Sequence, residues 1–105
     1  MKTRLPIKPL SVNQAWQGKR FKTPAYVKFQ RDMLLLLPNV TLQSISEVHL
    51  HFGFSSKLSD LDNATKQTID CIVKKYGIDD RYINKIVLTK EIVQKGNEFI
   101  DIQIF

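Results

Sequence analysis

The sequence predicts a single α+β domain spanning residues 1–105, with elements in the order β-α-β-α-β-β and a mixed sheet packed by two helices. Three observations lead there. A chain of 105 residues has room for one hydrophobic core, since domains usually run to about 100–150 residues. With 43% apolar residues and only four Gly and four Pro, it has enough apolar surface to fold and too little punctuation for a disordered or collagen-like chain. Its apolar residues also recur with two distinct periods, one of a strand and one of a helix.

Thr3, Leu5 and Ile7 alternate with charged residues and Pro6, as a short edge strand does. Residues 11–24, polar and basic around Gly18, read as an exposed loop ending at Pro24. Pro24 at a first helical position and the good helix formers after it predict a helix to Leu36, closed by Pro38 and Asn39. Glu47 to Phe54 alternates cleanly: Val48, Leu50, Phe52 and Phe54 on one face, His49, His51 and Gly53 on the other. After a turn over Ser55–Ser59, Leu61, Thr65, Ile69, Ile72 and Tyr76 recur at helical spacing and stop at Gly77. Ile83 to Val93 and Phe99 to Phe105 read as strands, and Gly96-Asn97 between them predicts a hairpin.

Sixteen Lys and Arg against ten Asp and Glu give a net charge of +6, which suits a polyanionic partner or simply a basic soluble domain. The distribution is more informative than the sum. Residues 1–59 hold nine basic and two acidic residues, whereas residues 60–80 hold five acids, all Asp, and three Lys. A single Cys, Cys71, excludes a disulfide framework or a Cys-x-x-Cys metal pair and fits a reducing compartment. The longest apolar run, Met33 to Leu37, is five residues, far below the roughly 20 that span a bilayer. The start, Met-Lys-Thr-Arg-Leu-Pro, has no apolar leader. A cytoplasmic protein with no membrane partner is expected.

The acidic segment Asp60-Leu61-Asp62-Asn63 follows a strand and opens a helix, where unpaired N–H groups favour negative charge. On a helix, Asp62, Lys66 and Asp70 share one face, and Asp79 and Asp80 follow the Gly77 break. Carboxylates drawn together repel unless a cation lies among them, and oxygen donors suit Mg²⁺ or Mn²⁺. A lysine beside them offers charge to a phosphate transition state. Metal-dependent phosphodiester hydrolysis uses all of these. The alternative is structural: an Asp60 or Asp62 helix cap, surface ion pairs, and an Asp79-Asp80 turn. No EF-hand spacing, Gly-rich phosphate loop or nucleophile elbow is present.

The run Asp60-Leu61-Asp62-Asn63, then Lys66, Asp70 and Asp79-Asp80-Arg81 ahead of a strand, resembles the signature of RusA-type Holliday junction resolvases, and Pro9-Leu10-Ser11-Val12-Asn13 with Trp16 is similar to that family's N-terminal stretch. The resemblance implies a homodimeric α+β endodeoxyribonuclease that uses Mg²⁺ or Mn²⁺ to nick two strands of a four-way DNA junction in recombination or repair. It assigns Asp60, Asp62 and Asp80 to the metal and Lys66 to catalysis, while Asp70 and Asp79 match recurrent acidic positions without a role. Some members carry an arginine run before this motif, where the present chain has Ser55-Ser56-Lys57-Leu58-Ser59. DNA contact is therefore expected from Lys19, Arg20, Lys22, Arg81 and Lys85. A less selective nuclease for flaps or other branched DNA, and a silent DNA-binding dimer of the same fold, remain alternatives.

Trp16 and Phe21, interleaved with Lys19, Arg20 and Lys22, suit a phosphate-gripping loop with a stacking aromatic, or a solvated loop with a core Trp. His49 and His51 read as ligands or acids on one side, and as ordinary residents of a half-solvated strand face on the other. Two symmetry-related cuts from a chain with one acidic site need two copies. Met33 to Leu37 or an exposed strand edge are the candidate interfaces.

Overall fold

The structure, a computed structural model, describes residues 1–18 and 21–105. Strand β1 (Lys2–Leu5) ends at Pro6, and a short helix α1 (Val12–Ala15) follows, with Ser11 and Gln14 forming a reciprocal capping box. β2 (Trp16–Gln17) and β3 (Phe21–Lys22) pair as a two-residue ladder. Helix α2 (Pro24–Leu36) starts with Thr23 as N-cap, whose side chain accepts from the Tyr26 N–H, and with Pro24 in its first turn. Strand β4 (Glu47–Phe54), helix α3 (Thr65–Tyr76), a 3₁₀ turn (Asp80–Tyr82), strand β5 (Lys85–Ile92) and strand β6 (Phe99–Ile104) complete the chain. Gly77 closes α3 at φ 62°, a left-handed value that glycine adopts without steric cost.

The main sheet has the order β1-β6-β4-β5. β4 and β5 are parallel, because α3 carries the chain back between them, and the other pairs are antiparallel. The α+β class, the mixed sheet and the single domain are as expected. Three helices form where two were expected, because the Ser11–Gln14 box organises one turn inside the segment read as loop.

The predicted hairpin between the last two strands does not form: β6 lies between β1 and β4, not beside β5. Val93 donates its N–H to Phe54 O at 2.7 Å, so the connection crosses the end of β4. Inserted there, Ile100, Ile102 and Ile104 stand opposite Phe52, Leu50 and Val48. All six are buried, together with Tyr26, Phe29 and Met33 of α2 and Ile69, Cys71 and Ile72 of α3. On the outer edge of β5 the three isoleucines would lie away from most of that cover, so burial selects the insertion. Burial also pushes the Cys71 thiol up to about 12, with the Asp70 charge adding to it; this cysteine is a small core residue.

The helices cover one face of the sheet, and the other carries His49, His51, Asp101 and Gln103 opposite one another across β4 and β6. There Phe99 lies over Gly53: a Cβ at Gly53 would fall within 2.5 Å of Phe99 Cδ1. Arg4 holds the ring from above, its guanidinium 3.9 Å from the centroid. Gly53→Ala is expected to destabilise the fold by about 1–3 kcal/mol, the usual cost of overpacking, measured as a lower denaturant midpoint. An unchanged midpoint would mean that Phe99 swings away freely.

Candidate metal and nucleic-acid site

The acidic segment follows the C-terminal end of β4. Ser59 O accepts from Lys90 Nζ at 2.6 Å, which anchors the loop against β5. Asn63 N–H then bonds Asp60 O and Thr65 N–H bonds Asp62 O, both at 3.2 Å. These tight turns precede the helix, which begins at Thr65, later than the periodicity from Leu61 suggests. Leu61 is exposed, while Ala64 packs into the core as N-cap with no side-chain cap bond. Asp62 therefore stands ahead of the helix, and of the expected face only Lys66 and Asp70 pair, at 3.5 Å. The capping alternative for Asp60 and Asp62 is not met.

A buried amide ties this turn to the N-terminal stretch. Gln67, 1% exposed, donates from Nε2 to Leu10 O at 2.9 Å and to Asn63 O at 3.1 Å. Val12 N–H also donates to Asn63 O, at 2.9 Å. Pro9–Asn13 and Asp60–Asn63, distant in sequence, thus share one ledge. Sequence reasoning missed Gln67, since an amide in an amphipathic helix reads as solvent-facing until the loop above it is known. Lys66, largely exposed, lines a shallow depression with Val12, Asn13, Trp16 and Gly18. Trp16 packs edge-on against Tyr26 with ring centroids 5.4 Å apart, so the structural reading holds for it. Phe21 is 70% exposed. Lys22 Nζ bonds Gln30 Oε1 at 3.3 Å. Lys19 and Arg20 lie outside the described residues.

Asp79, Asp80, Arg81 and Lys85 gather at the opposite end of the sheet. Asp79 caps the 3₁₀ turn through the Arg81 N–H at 3.0 Å and holds Arg81 Nε at 2.8 Å. These hydrogen bonds from Arg81 keep its carboxyl below the usual carboxylate range. Lys85 Nζ stands 3.6 Å from Glu47, and Asn84 N–H bonds Ser46 O, which fixes this end beside the start of β4. Asp60 and Asp62 follow the finish of β4. Eight residues separate the ends, on the order of 20 Å at strand rise. The expected union of Asp60, Asp62 and Asp80 therefore does not occur within one chain, and no three Asp, Glu, His or Cys side chains gather among the described residues. The cause is topological: in a parallel crossover the helix runs against the strand, so the turns before and after it lie at opposite ends of the strands.

Of the ten acids, seven have a partner. Asp32 meets Arg31, Glu47 meets His49 and Lys85, Asp70 meets Lys66, Asp79 meets Arg81, Glu91 meets His51, and Asp101 meets Arg4. Glu98 accepts from Ser55 and from the Gly96 N–H, and its pKa lies below the ordinary value. The three side chains with neither ion pair nor hydrogen bond among the described residues are Asp60, Asp62 and Asp80, all exposed. His49 bonds Glu47 at 2.5 Å, and His51 bonds Thr89 at 2.6 Å and Glu91 at 3.0 Å, so both histidines serve the open sheet face. The hydrogen bond from His49, and after it the charge of Lys85, holds the Glu47 carboxyl low.

No protein-family model matches the chain, and no curated protein matches it. Among the described residues no helix is long and apolar enough to cross a membrane.

Proposed function

We propose that the protein is a divalent-metal-dependent endodeoxyribonuclease that resolves four-way DNA junctions, acting as a homodimer in which Asp60 and Asp62 of one copy meet Asp80 of the other. One observation supports this reading: the three carboxylates that the family resemblance assigns to the metal are the three acids with no side-chain partner among the described residues. Unpaired carboxylate oxygens on exposed turns are hard donors, which fit Mg²⁺ or Mn²⁺. When bound, such an ion offsets phosphate charge and activates water for in-line attack. Lys66, beside the acidic turn, adds positive charge where the phosphate or leaving oxygen develops negative charge. Lys22, Arg81 and Lys85, with Lys19 and Arg20 from the basic loop, hold phosphates, and Phe21 stacks on an unpaired base.

The test is incubation with four-way, flap and linear DNA, with and without Mg²⁺. Paired symmetric nicks on the four-way substrate, absent without the ion, are expected. Cleavage confined to flaps identifies a branched-DNA nuclease instead, and binding without cleavage of any substrate identifies a silent DNA-binding dimer.

Junction affinity is expected to fall steeply with salt, because Lys and Arg displace counterions from phosphates. Charge reversal at Lys19, Arg20 and Lys22 together flattens the slope of log affinity against log salt. An unchanged slope in a filter-binding or anisotropy titration makes that loop a bystander.

A further inference from the structure

We propose that the cleft between residues 8–14 and the loop leaving β4 is a pocket for one unpaired nucleobase, and that the base it selects is guanine. The cleft holds about 310 Å³, the small end of the range for ligand pockets, which admits a single base and no duplex. The inference rests on the proposed nuclease reading through the position of the cleft. Ser59 and Asn63, which flank Asp60 and Asp62 in sequence, both line it, so the acidic turn forms one of its walls. A base seated there keeps its own phosphate beside those carboxylates.

The lining divides by chemistry. Phe54, Pro9 and Leu58 supply apolar surface on which a ring can stack. Leu58 is 91% exposed, and a seated base covers it. Glu98 is the one carboxylate in the lining, and it is anchored on both oxygens, by Ser55 Oγ at 2.9 Å and by the Gly96 N–H at 2.8 Å. Each oxygen keeps a lone pair, so Glu98 offers two fixed acceptors and no donor. Gln14 turns its Oε1 to Ser11, and its Nε2 has no hydrogen-bond partner among the described residues. With Lys8, whose charge helps to keep Glu98 ionised, that amide supplies the donors.

Two adjacent acceptors beside a donor distinguish the bases. On its pairing edge guanine presents two neighbouring N–H donors, N1–H and the N2 amino group, next to the O6 acceptor, which is the complement of this set. Cytosine and adenine present one amino group beside a ring-nitrogen acceptor, which would face the second Glu98 oxygen. Thymine presents a single N–H between two carbonyls. A phosphate would meet the Glu98 charge and is repelled. The pairing edge is free only where a base has left the duplex, and extrusion costs least at an unpaired position such as a branch point.

The pocket is tested without metal, by fluorescence anisotropy in EDTA on an oligothymidine carrying one central guanine. The wild-type protein is expected to bind this strand about tenfold more tightly than the all-thymine strand, the discrimination of one bidentate contact. Most of that gain should vanish when hypoxanthine, which lacks the N2 amino group, replaces guanine. Glu98→Gln should bind all three strands alike while keeping the wild-type affinity for the all-thymine strand. Lys8→Met, which leaves both anchors of Glu98 in place, should lower the guanine gain. Equal affinity of the wild type for the guanine and all-thymine strands, or a guanine gain that survives Glu98→Gln, overturns the proposal. Guanine-selective binding by a protein that cuts no DNA with Mg²⁺ removes the nuclease reading and leaves the pocket standing. Mg²⁺-dependent junction cleavage by a protein without guanine selectivity does the reverse.

Discussion

Asp62→Asn, and equally Asp60→Asn, is expected to lower junction cleavage by about a thousandfold or more, the several kcal/mol of transition-state stabilisation that a bound divalent ion supplies. The fold should not notice. Both side chains are exposed and have no intramolecular partner among the described residues, and substitutions at such positions usually change stability by no more than about 0.5 kcal/mol. Junction affinity should be kept or improved, because a negative charge facing phosphates has been removed. Wild-type nicking by both single variants would remove the metal assignment. The same residues report on how the site is shared. If Asp80 acts across the dimer, mixing Asp62→Asn with Asp80→Asn protein creates mixed dimers holding one intact site. Free exchange of copies should then return about a quarter of the wild-type sites, by the statistics of a two-fold pair, read as single nicks. No recovery after verified exchange would mean that the two ends act separately.

The second large effect is expected at Gln67. Gln67→Leu keeps the approximate volume but removes both donors, leaving Leu10 O without its amide partner and Asn63 O with Val12 alone. Stranding buried carbonyl groups costs about 1–3 kcal/mol each, so a loss of about 2–3 kcal/mol is expected as a lower denaturant midpoint with an unchanged slope. The damage should be local first. Hydrogen exchange at the Val12 amide should accelerate more than exchange in β4, because the clamp joins the N-terminal ledge to the acidic turn. Stability equal to wild type would show that water replaces the amide at no cost.

Much of the fold was legible because it is written in local periods. The alternation over Val48, Leu50, Phe52 and Phe54 marks β4 at its observed bounds. Pro24 and Gly77 mark a helix start and a helix stop through their own backbone preferences, independent of anything distant. The short capping box at Ser11 was hidden because a single helical turn has no period to read. Leu61 was misread as part of a helical stripe: its spacing is right, but Ala64 takes the buried place at the helix start.

The sequence by itself determined the class of domain, the main strands and helices, the segregation of acids into residues 60–80, and the identity of the candidate ligands. These depend on residue type and on neighbours within a few positions. Only the tertiary structure decided that β6 enters between β1 and β4, that Asp60 and Asp62 lie at one end of a parallel crossover and Asp80 at the other, and that Phe21 is exposed while Trp16 packs. It also decided which acids are paired, since pairs such as Arg4 with Asp101 or His51 with Glu91 join residues far apart in the chain. The physical reason is common to all of them: hydrogen-bonded pitch repeats within a segment and leaves a pattern. Burial and charge pairing are instead settled between segments, by whichever surfaces the folded chain brings into contact.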